Sequence, residues 1–158
     1  MSRFPTGPGV HLPPPTLFVL GLGGGWLLHR AYPVALLPAS WRGFAVASGW
    51  TLLGFWLVLL VWAVATFAAA RTTIVPNRPA TRLVTSGPYR LTRNPMYVSL
   101  TALYAGMTLL IDSAWIALLL PFVLAALNFW VIRSEERYLA AEFGEEYEVF
   151  RSRVRRWL

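Results

Sequence analysis

Three things are scarce in this chain. Cysteine is absent, which excludes disulfides and cysteine-based metal sites. Lysine is also absent, so the net charge of +7 comes entirely from arginine. Charge of either sign is thin: 13% of the 158 residues are charged, about half the ~25% of a soluble domain. Histidine is limited to His11 and His29. Both lie far from the acidic residues and have no helical partner, so they read as interfacial or loop histidines and no metal is expected.

The shortage of charge is concentrated rather than spread. No charged residue occurs from Gly43 to Ala70, a run longer than the ~20 residues that cross a bilayer. With 56% hydrophobic residues, the sequence predicts an all-α integral membrane protein with four transmembrane helices, near 16–37, 43–69, 96–111 and 114–132. An irregular N-terminus, 1–15, precedes them, and a cytoplasmic tail, 133–158, follows. The whole chain, 1–158, reads as one domain. Arg3 is a weak basic start and Pro13–Pro15 interrupt before the apolar run, so no cleavable signal is expected.

Within this frame, several residues have local meanings. Gly21 and Gly25 form a GxxxG pair in span one, which lets two helix backbones approach closely. "GLGGGW" has no preceding strand and is no dinucleotide loop. Span one either ends near Leu28 or continues, kinked, to Leu37. Asp112–Ser113 makes a tight hairpin between spans three and four, and Pro121 predicts a kink. In the tail, Leu139, Phe143, Tyr147, Phe150 and Val154 recur at spacings of four, four, three and four, one face of a helix. Gly144 divides that helix, and Trp157 suits a membrane interface.

Arginine counts orient the chain. With four spans and the N-terminus inside, twelve arginines fall on the inner side and two, Arg30 and Arg42, on the outer. Positive residues favour the cytoplasm. The basic balance would also suit nucleic acid, but these arginines flank apolar runs, so lipid headgroups explain them better. The expected location is a bacterial-type inner or plasma membrane with the N-terminus, the loop before span three and the C-terminus cytoplasmic.

That loop contains "TSGPYRLTRNPMYVSL", 85–100. Gly87–Pro88 favours a turn. Pro95 suits a first helical turn and pushes Asn94 out of helical geometry, placing Asn94 where its side chain can cap a free backbone N–H. About forty residues on, "VIRSEERYLAAEFGEEY" places Arg133, Glu135 and Glu136 where span four leaves the membrane. Carboxylates there are costly and need partners. Arg133 and Glu136 have pairing distance on one helix face, and Arg90 and Arg93 lie within reach. From the residues alone, two readings stand for each segment: a capped, ion-paired helix end, or one wall of a polar pocket.

Together the two motifs, in this order and separated by a helical hairpin, resemble the isoprenylcysteine carboxyl methyltransferases and the related membrane phospholipid methyltransferases. The resemblance covers roughly 71–154. It implies S-adenosylmethionine as cofactor, held without a Rossmann domain between the loop and the C-terminal segment, and a lipid-like substrate entering from the bilayer. By position it implies that Leu83, Val84 and Tyr89 line the cofactor pocket. Asn94, Pro95, Met96 and Tyr97 form its second wall, and Arg93 is a further cofactor-binding residue. Glu135 and Glu136 hold a polar end of the cofactor, Arg133 faces the substrate, and Asn128 adds a hydrogen bond to it. Arg133 and Glu136 are the implied catalytic residues. Asn94 departs from the family, where many members have histidine; asparagine cannot act as a base but can donate a hydrogen bond. An anionic acceptor needs no base, which tilts the expectation toward O-methylation of a carboxylate. Phospholipid N-methylation and thiol S-methylation remain alternatives. An NADPH-dependent membrane reductase and a non-catalytic membrane scaffold are the competing classes.

Overall fold

The computed structural model describes residues 13–71 and 82–158. Arg3, His11, Arg78 and almost all of the expected irregular N-terminus lie outside the described residues, as does 72–81 of the polar link before span three. The first helix, α1 (Pro14–Ala31), opens on prolines, whose fixed φ and missing N–H suit a first turn. It stops at Ala31 rather than reaching 37. Tyr32 leaves helical geometry at φ −136° and ψ 83°, as a residue before proline tends to. A short 3-10 turn, Ala39–Trp41, leads into α2 (Arg42–Ala69).

The third helix, α3 (Pro95–Ile111), also begins on proline. The predicted hairpin follows. Asp112 is left-handed at φ 56°, and the Ser113 hydroxyl accepts from the Ile116 N–H at 3.3 Å to cap α4 (Ala114–Ala126). The Asp112 carboxylate also anchors the connection after α1, accepting from the N–H groups of Leu36 and Leu37 at 3.1 Å each. Past α4 the chain stays helical beyond 132, where the expected span ends. It continues through a π-type stretch, Leu127–Ile132, into α5 (Arg133–Phe143). The α-helix persists through Pro121, and the departure from α geometry comes six residues later. Gly144, at φ 51°, then separates α5 from α6 (Glu145–Arg153).

Two helical stretches are long and apolar enough to cross a membrane: Ala39–Ala69, of 31 residues, and Ala114–Phe143, of 30. The apolar α3 has 17 residues, about 26 Å at 1.5 Å per residue, against a hydrocarbon core of ~30 Å. In α1, glycines and the His29–Arg30 pair dilute the hydropathy. Only 11% of the most apolar part of the first stretch is buried. Trp50, Phe55, Val58, Val61 and Trp62 point outward there, so this is not the core helix of a water-soluble fold. Contiguous apolar surface of this kind needs lipid or protein against it.

Helices α2 and α3 pack together, as do α1 and α4. Small residues set both contacts. A Cβ on Gly25 would lie 2.8 Å from the Ile116 Cα, and one on Gly21 would lie 2.5 Å from Val123 Cγ2. The predicted GxxxG pair is therefore the α1–α4 seam. Gly49 and Gly106 play the same part between α2 and α3: a Cβ on Gly106 would sit 3.0 Å from the Gly49 carbonyl oxygen. Phe18, Tyr104, Ile116, Leu127 and Ile132 fill the larger core. The buried Tyr104 hydroxyl donates to the Ile116 carbonyl at 3.0 Å. A second core lies at the α6 end, where Tyr147 and Phe150 meet Ala63, Val84 and Tyr89.

Candidate functional site

Gly87 positions the loop before α3. Its φ is +59°, and a Cβ there would lie 2.5 Å from Thr66 Oγ1, so the turn demands glycine on two counts. The turn, Gly87–Arg90, presses on the end of α2 and buries Pro88 and Tyr89. The Tyr89 ring meets Phe67 edge-on, centroids 5.3 Å apart. Leu83, Val84, Tyr89 and Met96 all join the second core. Four of the expected pocket residues thus form an apolar layer against α6. Burial, and then the Glu135 charge, push the Tyr89 phenol well above its usual range.

Beyond that layer the chain gathers a polar cluster. The Arg93 guanidinium lies 3.0 Å from Glu136 Oε1 and donates to the Tyr147 hydroxyl at 3.2 Å. Burial, and then the Glu136 charge, raise the Tyr147 pKa, with Arg93 opposing. The Tyr97 hydroxyl donates to Glu135 Oε1 at 2.7 Å. The expected reach of Arg93 extends to Glu136 and not to Glu135. Arg90 is exposed.

Two expected roles differ. Asn94 occupies the N-cap position of α3, yet its side chain makes no capping bond. Its amide donates instead to the Arg156 carbonyl at 2.9 Å. The reason is proximity: the C-terminal segment runs across this helix start and offers a carbonyl. Arg133 and Glu136 do not pair. The Arg133 guanidinium stacks over the Phe129 ring, 4.3 Å from its centroid, while Glu136 is held by Arg93 and Arg156.

Arg156 carried no expectation from the sequence, and neither did Thr92. The Arg156 fork donates to both Glu136 oxygens, Nε at 2.9 Å and Nη2 at 2.6 Å. Its Nη1 donates to the Asn128 side-chain oxygen at 3.1 Å. The buried Thr92 hydroxyl donates to the Arg156 carbonyl at 3.0 Å, and the Arg93 N–H donates to the Arg155 carbonyl at 2.9 Å. The hydrogen bond to Glu136 raises the Arg156 pKa, so this guanidinium is a fixed cation. Helical periodicity has no purchase on residues after Arg153, where α6 ends. The only available signal was the density of arginines at 151, 153, 155 and 156.

The π-type stretch explains how Asn128 and Glu136 reach one guanidinium. Residues eight apart on an α-helix differ by about 80° around the axis. One inserted residue takes back about 100°, leaving them within about 20°.

Charges in the cluster are unequal. Arg93 and Arg156 share Glu136, and the Arg93 Nε is buried without a hydrogen-bond partner among the described residues. Among those residues Glu135 has no basic partner, only the tyrosine hydroxyl. A cleft of about 450 Å³ lies elsewhere, lined by Ala65, Thr66, Ala69, Ala70, Ser86 and Gly87. None of the charged groups of the cluster borders it. No group of three histidine, aspartate or glutamate side chains suited to a metal occurs among the described residues.

The family model for phospholipid methyltransferase matches residues 43–146, which contain all of α2 but its first residue, α3, the π-type stretch, Glu135 and Glu136. The chain belongs to the phospholipid methyltransferase family. This is a family of membrane methyltransferases similar to the isoprenylcysteine carboxyl enzymes, as the two motifs implied. Curated relatives are similar over shorter stretches. A cobalt-zinc-cadmium resistance protein of Cupriavidus metallidurans is 36% identical over 49% of this chain and 36% of its own length. A nickel-cobalt-cadmium resistance protein of Alcaligenes xylosoxydans xylosoxydans is 35% identical over 45% of this chain and 33% of its own. The match thus spans about a third of those two proteins. An uncharacterised protein of Haemophilus influenzae is 38% identical over its full length and 40% of this chain. No solved structure matches.

Proposed function

We propose that this protein is a membrane-embedded, S-adenosylmethionine-dependent methyltransferase acting on a carboxylate of a lipid-like or isoprenoid-bearing acceptor. The observation that carries the reading is one convergence inside a methyltransferase family. Arg93, Asn94, Tyr97, Asn128, Glu135 and Glu136 come from two segments about forty residues apart and form one polar cluster at the ends of apolar helices. The reading places four spans in the membrane and this cluster on the cytoplasmic side.

The residues present suit the cofactor in donor type. The unpartnered Arg93 Nε suits a carboxylate, and Glu135, lacking a basic partner among the described residues, suits an ammonium or ribose hydroxyls. When bound, the cofactor supplies a methyl group on a positive sulfur that leaves as a neutral thioether. Arg93 and Glu135 would bind and orient its polar end. Tyr97 would hold the Glu135 carboxylate in place through its 2.7 Å bond. Arg133, exposed beside Phe129 at the boundary, would orient an anionic acceptor through the two-pronged contact arginine allows. Both Glu136 oxygens are already engaged by two arginines, and the Asn94 amide is already a donor to the tail. An acceptor that needs no deprotonation fits these two residues.

Glu135 favours a second reading, in which it takes the proton of a lipid amine. Two measurements separate the possibilities. The purified protein is titrated with S-adenosylmethionine and with NADPH; binding of NADPH alone sinks the methyltransferase reading. Lipid extracts are then methylated with labelled cofactor and treated with base. Volatile label indicates a methyl ester; label retained in the lipid indicates N-methylation, which Glu135→Gln should abolish.

A further inference from the structure

The C-terminal segment ties together residues that no helix of the bundle could join alone. After α6 the chain leaves helical geometry at Val154 (φ −120°, ψ 130°) and crosses the start of α3. There the Arg155 and Arg156 carbonyls accept from the Arg93 N–H, the Thr92 hydroxyl and the Asn94 amide. The Arg156 side chain then turns the other way, to Glu136 and Asn128. All three guanidinium nitrogens are used, so one residue bridges the α3 entry, the π-type stretch and α5. Trp157 packs against the larger core and holds the segment from the other side.

We propose that Arg156 is a positioning residue: it fixes Glu136 and Asn128 against Arg93 and Asn94, so the cofactor's polar subsite exists only while the C-terminal segment is seated. The inference rests on the function proposed above. Charge and geometry both contribute. Without Arg156, Glu136 keeps one cation, Arg93, and the Asn128 side-chain oxygen loses the guanidinium that donates to it. Glu136 would then be drawn toward Arg93, and the spacing between the two walls would change. Lysine at 156 would keep one charged contact to Glu136 but could not also span to Asn128, because it lacks the planar fork.

The test uses the full-length protein in detergent. S-adenosylmethionine affinity is measured by calorimetry and stability by thermal unfolding, for wild type, Arg156→Ala and Arg156→Lys. The expected result is at least a tenfold loss of affinity in R156A, with R156K, which keeps the Glu136 contact alone, falling between R156A and wild type while both stay folded. A folded R156A that binds as well as wild type, or more tightly, overturns the proposal; tighter binding would mean that the segment blocks the site. If R156A does not fold, wild type alone decides the matter through trypsin cleavage after Arg156. Saturating cofactor should slow release of the last two residues several-fold, and an unchanged rate overturns the proposal. A wild type that binds no S-adenosylmethionine overturns the proposed function and this inference together. A wild type that binds, with R156A binding equally, overturns only the inference.

Discussion

Glu135 and Glu136 are chain neighbours in opposite electrostatic settings. Glu136 is shared by Arg93 and Arg156 with only 16% of its side chain exposed. Breaking a buried pair by removing one partner costs about 3–5 kcal/mol, because the remaining charge is stranded. Glu136→Gln strands two guanidiniums, so its unfolding free energy should fall by an amount of that order, read from thermal unfolding. Glu135→Gln keeps an acceptor for the Tyr97 hydroxyl and should stay within about 1.5 kcal/mol of wild type. Equal losses in the two variants would contradict this assignment. The sequence placed both carboxylates at the membrane boundary and named Arg93 as a partner. It could not separate their roles, because the cation that distinguishes them, Arg156, is twenty residues away on a non-helical segment.

At the scale of elements, close approach decides tolerance. Gly25 lies against the Ile116 backbone, which cannot move aside as a side chain tip can. Gly25→Val should push α1 off α4 and cost at least about 1–3 kcal/mol in detergent, the usual range for overpacking. A Cβ added to Gly23, two residues away, would meet nothing within 4 Å, so Gly23→Ala should leave the unfolding temperature unchanged or slightly raised. The GxxxG spacing made the first contact legible in the sequence. The Gly49–Gly106 contact was not, because each glycine belongs to a different helix and the pair exists only once α2 and α3 are docked. The π-type stretch was hidden too. It rotates Glu136 into line with Asn128, and no residue type in "LNFWVI" announces an inserted residue.

For the whole molecule, orientation is the open consequence of charge. The absence of cysteine makes it directly measurable, since any introduced thiol is the only one. Cysteine at Ala39 should be labelled by an impermeant maleimide in intact cells. Cysteine at Ser152, an exposed position on α6, should be labelled only after permeabilisation. The reverse pattern would invert the proposed topology and move the polar cluster to the outer face. The sequence by itself determined the helical class, the apolar stretches, the hairpin at Asp112–Ser113, the break at Gly144 and the two motifs that face each other. These follow from local periodicity, turn chemistry and charge, which act over a few residues. The tertiary structure alone decided that Asn94 bonds to the tail rather than capping α3, that Arg133 stacks on Phe129 rather than pairing with Glu136, and that Arg156 closes the cluster. The Asn94 and Arg156 contacts depend on which carbonyl or carboxylate a donor meets across 20 to 62 residues, and such separations leave no periodic trace in the chain. With Glu136 taken by Arg93 and Arg156, Arg133 is left to the Phe129 ring four residues back on its own helix.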